Sequence, residues 1–161
     1  MISFAAGGHH FNLRAAAVIV DRGKVLLHKI AGDNFWSVPG GRVEPGETAA
    51  QAVIREILEE TGEQAQCGQL LWVAENFFEY HGSQHHEIGL YFNVQLPPHS
   101  RLLALEDSIE FVDENTSMTY SWLAIAQLPS HEVRPSLLFR ALTERDTSLR
   151  HYVHYEDGSQ L

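Results

Sequence analysis

Apolar residues come in short runs along the chain, and the polar stretches between them set the boundaries. Ala15 to Val20 is continuously apolar and predicts a buried strand. Asp21-Arg22-Gly23-Lys24 is a turn, and Val25-Leu26-Leu27 is a second strand, so the pair predicts a hairpin. Phe35 to Val38 is a short extended piece ending at Pro39, and the three glycines and one proline of Gly40 to Gly46 predict a loop. The period then changes. Thr48 with Gln51 three residues later matches a capping box, Ile54, Ile57 and Leu58 follow at helical spacing, and Gly62 supplies a stop. This predicts a helix over Ala49 to Thr61. Leu70 to Phe78 and Ile88 to Leu96 read as strands joined through the polar stretch around His81 to His86, and Pro97-Pro98 closes the unit. Tyr120 to Leu123 is a further strand and Ser136 to Glu144 a helix, while the tail after Asp146 has no clear pattern.

That order predicts an α/β chain, a mixed sheet flanked by helices in one domain over residues 1–161. Composition narrows the function. The net charge is −10, from 21 acidic against 11 basic residues, which argues against a nucleic-acid polymer or an anionic membrane surface as partner. A small anionic substrate stays open, because a divalent cation can bridge two negative partners. Cys67 is the single cysteine, so no internal disulfide forms. The opening residues lack a basic start followed by an apolar core, and no apolar run approaches the ~20 residues that span a bilayer, so the expected location is the cytoplasm.

On a helical wheel, Ile54, Ile57 and Leu58 fall on one side of the predicted helix and are expected to bury. Glu56, Glu59, Glu60 and Glu63 fall on the other, with the small Ala52 among them. Glu56/Glu60 and Glu59/Glu63 are like-charge pairs at i, i+4, each costing roughly 0.2–0.5 kcal/mol. They also approach the helix C-terminus, where the macrodipole disfavours negative charge. A solvated acidic face is one reading. The other is a site for a hard divalent cation, for which clustered carboxylates supply oxygen ligands. The glycine-rich loop just upstream fits the second.

Gly41, five residues, Glu47, seven residues, then Arg55-Glu56-Ile57-Leu58-Glu59-Glu60-Thr61-Gly62 resembles the Nudix box over residues 41–63, and Trp36-Ser37-Val38-Pro39-Gly40-Gly41 resembles its usual entry. The pattern ends in an aliphatic residue where this chain has Glu63, a departure expected to alter packing at the helix end. The resemblance implies the family's α/β/α sandwich. It also implies hydrolysis of a pyrophosphate bond in a nucleoside diphosphate linked to another moiety, by Mg²⁺-assisted attack of water, with Mn²⁺ as an alternative ion. Carried over by position, Glu56, Glu59, Glu60 and the carbonyl of Gly40 are the implied metal ligands. Arg55 orients Glu56 and Glu59, Glu47 ties the loop to the helix, and Gly41 and Gly62 are conformational. Glu56 is the first candidate for the base that takes the water's proton, with Glu87 and Glu114 as alternatives from outside the box. The family also admits a homodimer. The competing function is a catalytically silent Nudix module that binds a nucleotide or a protein partner; the presence of Arg55, Glu56, Glu59 and Glu60 argues for the enzyme.

Substrate marks outside the box are sparse. Phe77, Phe78 and Tyr80 lie near a strand end, and Phe78 and Tyr80 are the candidates for stacking on a base. Tyr80 falls where diadenosine polyphosphate hydrolases carry a tyrosine, whereas the proline typical of ADP-ribose pyrophosphatases is missing. His81, His85, His86 and Glu87 could be read as a transition-metal cluster, but in a chain with ten histidines loop and strand-edge histidines are the expected reading.

Overall fold

The computed structural model describes residues 1–113 and 116–157. Two sheets form its centre. The first has the order β1 (Ser3–Ala6), β2 (His9–Val18), β7 (Ser83–Gln95), β6 (Gln66–Tyr80), β10 (Arg150–Tyr155), with the short β5 (Gly40–Arg42) also pairing β2. The second has the order β3 (Val20–Asp21), β4 (Lys24–Ile30), β9 (Thr116–Ala124), β8 (Ser108–Asp113). β2 runs parallel to β7 and β10 parallel to β6; the other pairs are antiparallel. The mixed sheet predicted from sequence is therefore present, divided in two.

Alternation along the strands feeds two separate cores. Ala15, Ala17 and Ile19 pack with Val53 and Ile57 of helix α1 (Ala49–Thr61). Ala16 and Val18 pack with Trp72, Tyr91 and Leu138 of helix α2 (Leu138–Thr143) and with Leu128 in the 3-10 turn Ile125–Ser130. Strands covered on both faces read as unbroken apolar runs, which is why Ala15 to Val20 looked like a single element. It is an α/β/α sandwich with α1 on one side and α2 on the other. No described helix is long and apolar enough to cross a membrane.

Several elements differ from the sequence expectation. The predicted hairpin shrinks to Val20–Asp21 against Lys24–Val25, because Ala15–Val18 leaves it to pair with β7 and β5. The Gly40–Gly46 loop gives up its first three residues to β5. The polar linker shrinks to the turn at His81-Gly82, both at positive φ, so His85 and His86 lie within β7. The C-terminal helix starts only at Leu138, and the patternless tail supplies β10. The helix over Ala49 to Thr61 forms as predicted, with both halves of its capping box and Gly62 as a left-handed cap.

Candidate active site

The wheel set the inward face of α1 too far toward Leu58. Ala52, Val53 and Ile57 are buried, Ile54 is half-buried and Leu58 is exposed. The stripe against the sheets is thus turned toward the acidic side, and the carboxylates of Glu56 and Glu60 are drawn inward, at 18% and 10% side-chain exposure against 54% for Glu59. Small residues at positions 49 and 52 allow that rotation.

Glycine makes room for the carboxylates. A Cβ on Gly41 would lie 2.2–2.4 Å from the carboxylate atoms of Glu56, so that group rests directly on the β5 backbone. Gly40 has φ +138°, and a Cβ there would meet the Ala15 carbonyl oxygen at 2.2 Å. Both glycines are fixed by the pairing of Gly40–Arg42 with Arg14–Ala16.

Arg55 ties the constellation together. Its Nη1 donates to Glu56 (2.8 Å) and Glu59 (3.1 Å), its Nε and Nη2 donate to the two oxygens of Glu47 (3.2 and 2.7 Å), and Nη2 also reaches the Arg42 carbonyl (3.2 Å). Glu47 receives the Glu44 N–H as well. The guanidinium holds the Glu47 carboxyl below the usual glutamate range. Burial pushes Glu56 above it, against the pull of Arg55, and the neighbouring Glu60 and Glu59 charges push the same way.

Glu60 has partners the sequence did not reveal. The Tyr120 hydroxyl donates to it, and Nδ1 of the buried His28 lies 3.7 Å away. The His28 and Tyr120 rings meet edge to face. Burial, then the Glu60 charge, drives the Tyr120 phenol well above its ordinary value, so it stays a donor. A polar residue inside the apolar phase of β4 was the available signal for His28. Among the described residues no three Asp, Glu, His or Cys side chains converge on one point; Arg55 and Tyr120 occupy the carboxylates instead.

Beside this cluster a cleft of about 280 Å³ opens between the two sheets. Gly40, Gly41, His28 and Glu60 line one end of it, and Phe78, Tyr80 and Glu87 also line it. Phe78 and Tyr80 therefore face the cleft as a substrate group would, while Phe77 points to the opposite face and stacks on Tyr155. The Tyr80 hydroxyl is spent on Asp33 (3.1 and 3.3 Å). Glu87 is buried at the cleft and takes a hydrogen bond from Asn12 Nδ2 at 2.8 Å. Glu114 lies outside the described residues. His85 and Glu87 face the cleft, whereas His86, next in sequence, turns away to stack on Phe77. Glu63 is buried at the end of α1, where it accepts the Arg101 N–H (3.1 Å) while the Arg101 guanidinium donates to the Thr61 carbonyl (2.8 Å). The departure from an aliphatic residue thus changes the helix end and leaves the carboxylate cluster alone.

Known proteins resemble this chain in both sequence and fold. A 45-residue stretch is 51% identical to a putative 8-oxo-dGTP diphosphatase of Bacillus subtilis (strain 168), covering 28% of this chain and 30% of that protein. A 59-residue stretch is 39% identical to an RNA pyrophosphohydrolase of Haemophilus influenzae (strain PittEE), covering 37% of this chain and 30% of that protein. The chain thus aligns with less than a third of either relative. A crystal structure of a NUDIX hydrolase from Nitrosomonas europaea superposes with a TM-score of 0.63 at 19% identity, over 89% of this chain and 78% of that one, a likeness of fold. The family model described as the NUDIX domain matches residues 11–142, far beyond the box at 41–63, and on that ground the chain belongs to the Nudix family.

Proposed function

We propose that the protein hydrolyses the pyrophosphate linkage of a nucleoside diphosphate joined to another moiety. Nudix hydrolases act on small nucleotide-type substrates with divalent metal ions. The observation that carries the reading is the Glu56 carboxylate seated on Gly41 and gripped by the same guanidinium that holds Glu47 and Glu59. A merely solvated acidic face needs neither the glycine nor the buried carboxylate.

The donor set fits a hard cation: three carboxylates at i, i+3 and i+4, all oxygen, beside a backbone cradle a Cβ would fill. Glu56, Glu59, Glu60 and the Gly40 carbonyl would hold it, with Mg²⁺ as the ion and Mn²⁺ as the alternative. Such an ion neutralises the phosphate oxygens and acidifies a water when bound. The chain's own residues do the rest. Arg55 fixes the directions of Glu56 and Glu59, and Glu47 fixes Arg55 to the loop. Tyr120 and His28 hold Glu60 ready on the cleft side. Glu56 accepts the proton of the attacking water at its carboxylate. The water oxygen joins one phosphorus, and the bridging oxygen leaves with the other. Positioning and charge stabilisation are what this chemistry mainly requires.

Glu60→Gln tests the reading. It keeps an acceptor for Tyr120 and removes one like-charge pair, so the fold should persist or gain slightly while metal-dependent turnover is lost. The assay couples a phosphatase to a panel of nucleoside triphosphates, nucleotide sugars, ADP-ribose and dinucleoside polyphosphates. Near-normal turnover in Glu60→Gln removes Glu60 from the metal site. No turnover by the parent protein, with nucleotides still raising its melting temperature, overturns the enzyme reading in favour of a binding module.

A further inference from the structure

The cleft has a floor that the hydrolytic chemistry does not use. Residues paired across β2, β7 and β6 form successive rungs on one face of the first sheet. Ala16–Tyr91–Trp72 is apolar core, and Arg14–Gly89–Ala74 follows. The next rung is Asn12–Glu87–Asn76, wholly polar, with all three residues lining the cleft and only 4, 5 and 4% exposed. Three adjacent polar side chains this deep need a reason, since buried polar groups are normally satisfied by one another. Here they are not. Asn12 donates to one oxygen of Glu87, but the Asn76 amide oxygen is buried without a partner. An unpaired amide at the bottom of an open cleft is a group waiting for a ligand.

The position of the rung indicates which part of a substrate reaches it. Gly40 pairs with Ala16, which shares the floor's face and lies four residues along β2 from Asn12, so at about 3.3 Å per residue the floor lies ~13 Å along the sheet from the Gly40 end of the cleft. A nucleotide spans that separation, with its phosphate at the Gly40–Glu60 end of the cleft and its base edge on the floor. The walls suit a planar ring. Phe78 and Tyr80 on β6 are joined by Phe35 from the loop after β4, and Phe35 and Tyr80 meet edge to face. With its hydroxyl bound to Asp33, Tyr80 presents only its ring to the cleft.

The floor also selects among bases. A carboxylate can only accept, and the free lone pairs of Glu87 call for adjacent N–H groups. Asn76 supplies an amide, oxygen and nitrogen interchangeable by a half-turn, that can meet a carbonyl or a further N–H. Guanine alone among the common bases offers two neighbouring donors, N1–H and the 2-amino group, beside a carbonyl oxygen. Adenine and cytosine each place a ring lone pair next to their amino group, facing Glu87, and uracil flanks its single N–H with two carbonyls. We propose that Asn12, Glu87 and Asn76 form a base-reading floor specific for guanine-type nucleotides, an inference that rests on the pyrophosphohydrolase reading for its orientation. Glu87 is then a specificity-determining residue and not the base that activates water.

The test uses GMP, AMP, CMP and UMP in isothermal titration calorimetry with Mg²⁺ present. Monophosphates carry no anhydride bond, so recognition is read apart from catalysis. GMP should bind at least about tenfold more tightly than the other three. Glu87→Gln keeps the volume and an acceptor for Asn12 but turns an amide toward the N1–H, and should reduce that preference to about twofold or less. Asn76→Ser, the second variant should Glu87→Gln fail to fold, should weaken GMP about tenfold with AMP unchanged. Equal affinity for all four, preference for another base, or a preference untouched by both variants overturns the proposal. Turnover without base preference sinks the floor alone, and selective GMP binding without turnover of any panel substrate sinks the hydrolase reading alone.

Discussion

Gly41→Ala puts one methyl group where the structure leaves no room. The new Cβ would sit 2.2, 2.3 and 2.4 Å from the Glu56 carboxylate carbon and oxygens. Ordinary contact needs roughly 3.4 Å or more, so the carboxylate must retreat by about 1 Å. The backbone does not resist the change, because Gly41, unlike Gly40, lies outside the left-handed region. The strain therefore falls on Glu56, whose 2.8 Å bond to Arg55 lengthens or breaks. A partly exposed charge-assisted bond and mild overpacking together cost about 1–2 kcal/mol, equivalent to ~2–8 °C in Tm for a chain of this size. Catalysis should suffer far more, since a 1 Å misplacement of a reacting group costs on the order of 10²-fold. The measurement is kcat on whichever nucleotide the phosphatase-coupled panel identifies, alongside a thermal melt. A variant with the parent's kcat would show that the position of Glu56 over Gly41 has no part in the chemistry. A variant that simply fails to fold would show that the carboxylate cannot retreat, against the steric argument.

Arg55→Lys keeps the charge but replaces five donated bonds by a single ammonium. We expect kcat to fall at least about tenfold and stability by about 1–2 kcal/mol, read by kinetics and urea unfolding, and parent-like kcat would refute the clamp. Glu63→Ala removes the acceptor of the Arg101 N–H and should destabilise by roughly 1–3 kcal/mol in calorimetry with kcat preserved, so a large loss of kcat would tie Glu63 to the site after all. Burial pushes the Glu156 carboxyl upward, but hydrogen bonds from His154 and from the Ser136 N–H outweigh it and hold it below the usual range. A depressed carboxylate contributes stability above its unfolded value and loses it as the pH falls through the folded one. Glu156→Gln should therefore be less stable than the parent by about 1 kcal/mol at pH 6, with the gap closing from about pH 4 downward. A gap that stays constant to pH 2.5 in urea titrations would refute the shift.

What was legible in the sequence was local. The capping box at Thr48 and Gln51, the Gly62 stop and the Arg55–Glu56–Glu59 spacing all act within two turns of one helix, and the structure contains each contact they imply. The rotation of that helix was not legible, because Leu58 counts as apolar on a wheel whether or not anything packs against it. Val53 and Ile57 decide the matter through Ala15, Ala17 and Leu26 on two different sheets. The cleft floor was hidden for the same reason. Asn12 lies before the apolar run and Asn76 within a strand, and only the register of β2 on β7 and β7 on β6 brings them to one rung with Glu87. A trace of the signal was present. Trp72, Ala74, Asn76 and Phe78 alternate in phase, and a buried-phase asparagine is the residue such an alternation should question.

The acidic helix also explains why its end departs from the family pattern. α1 has no basic residue in its last turn and no acidic residue in its first, so its own sequence complements the macrodipole at neither end, and Glu59 and Glu60 oppose it at the C-terminal one. Arg55 offsets the repulsion around Glu56 and Glu59, but it lies mid-helix and cannot neutralise the C-terminal carbonyls. Those are served from elsewhere. Gly62 returns its N–H to Leu58, the Thr61 hydroxyl bonds the Ile57 carbonyl, and Arg101 places a guanidinium on the Thr61 carbonyl from the loop after Pro97-Pro98. An aliphatic residue at position 63 would pack, but it could not hold that loop. Glu63 accepts the Arg101 N–H and lies 3.6 Å from its guanidinium, and so keeps the borrowed cation at the helix end. The substitution that looked like a flaw in the box is therefore part of what lets three glutamates crowd the second half of a thirteen-residue helix.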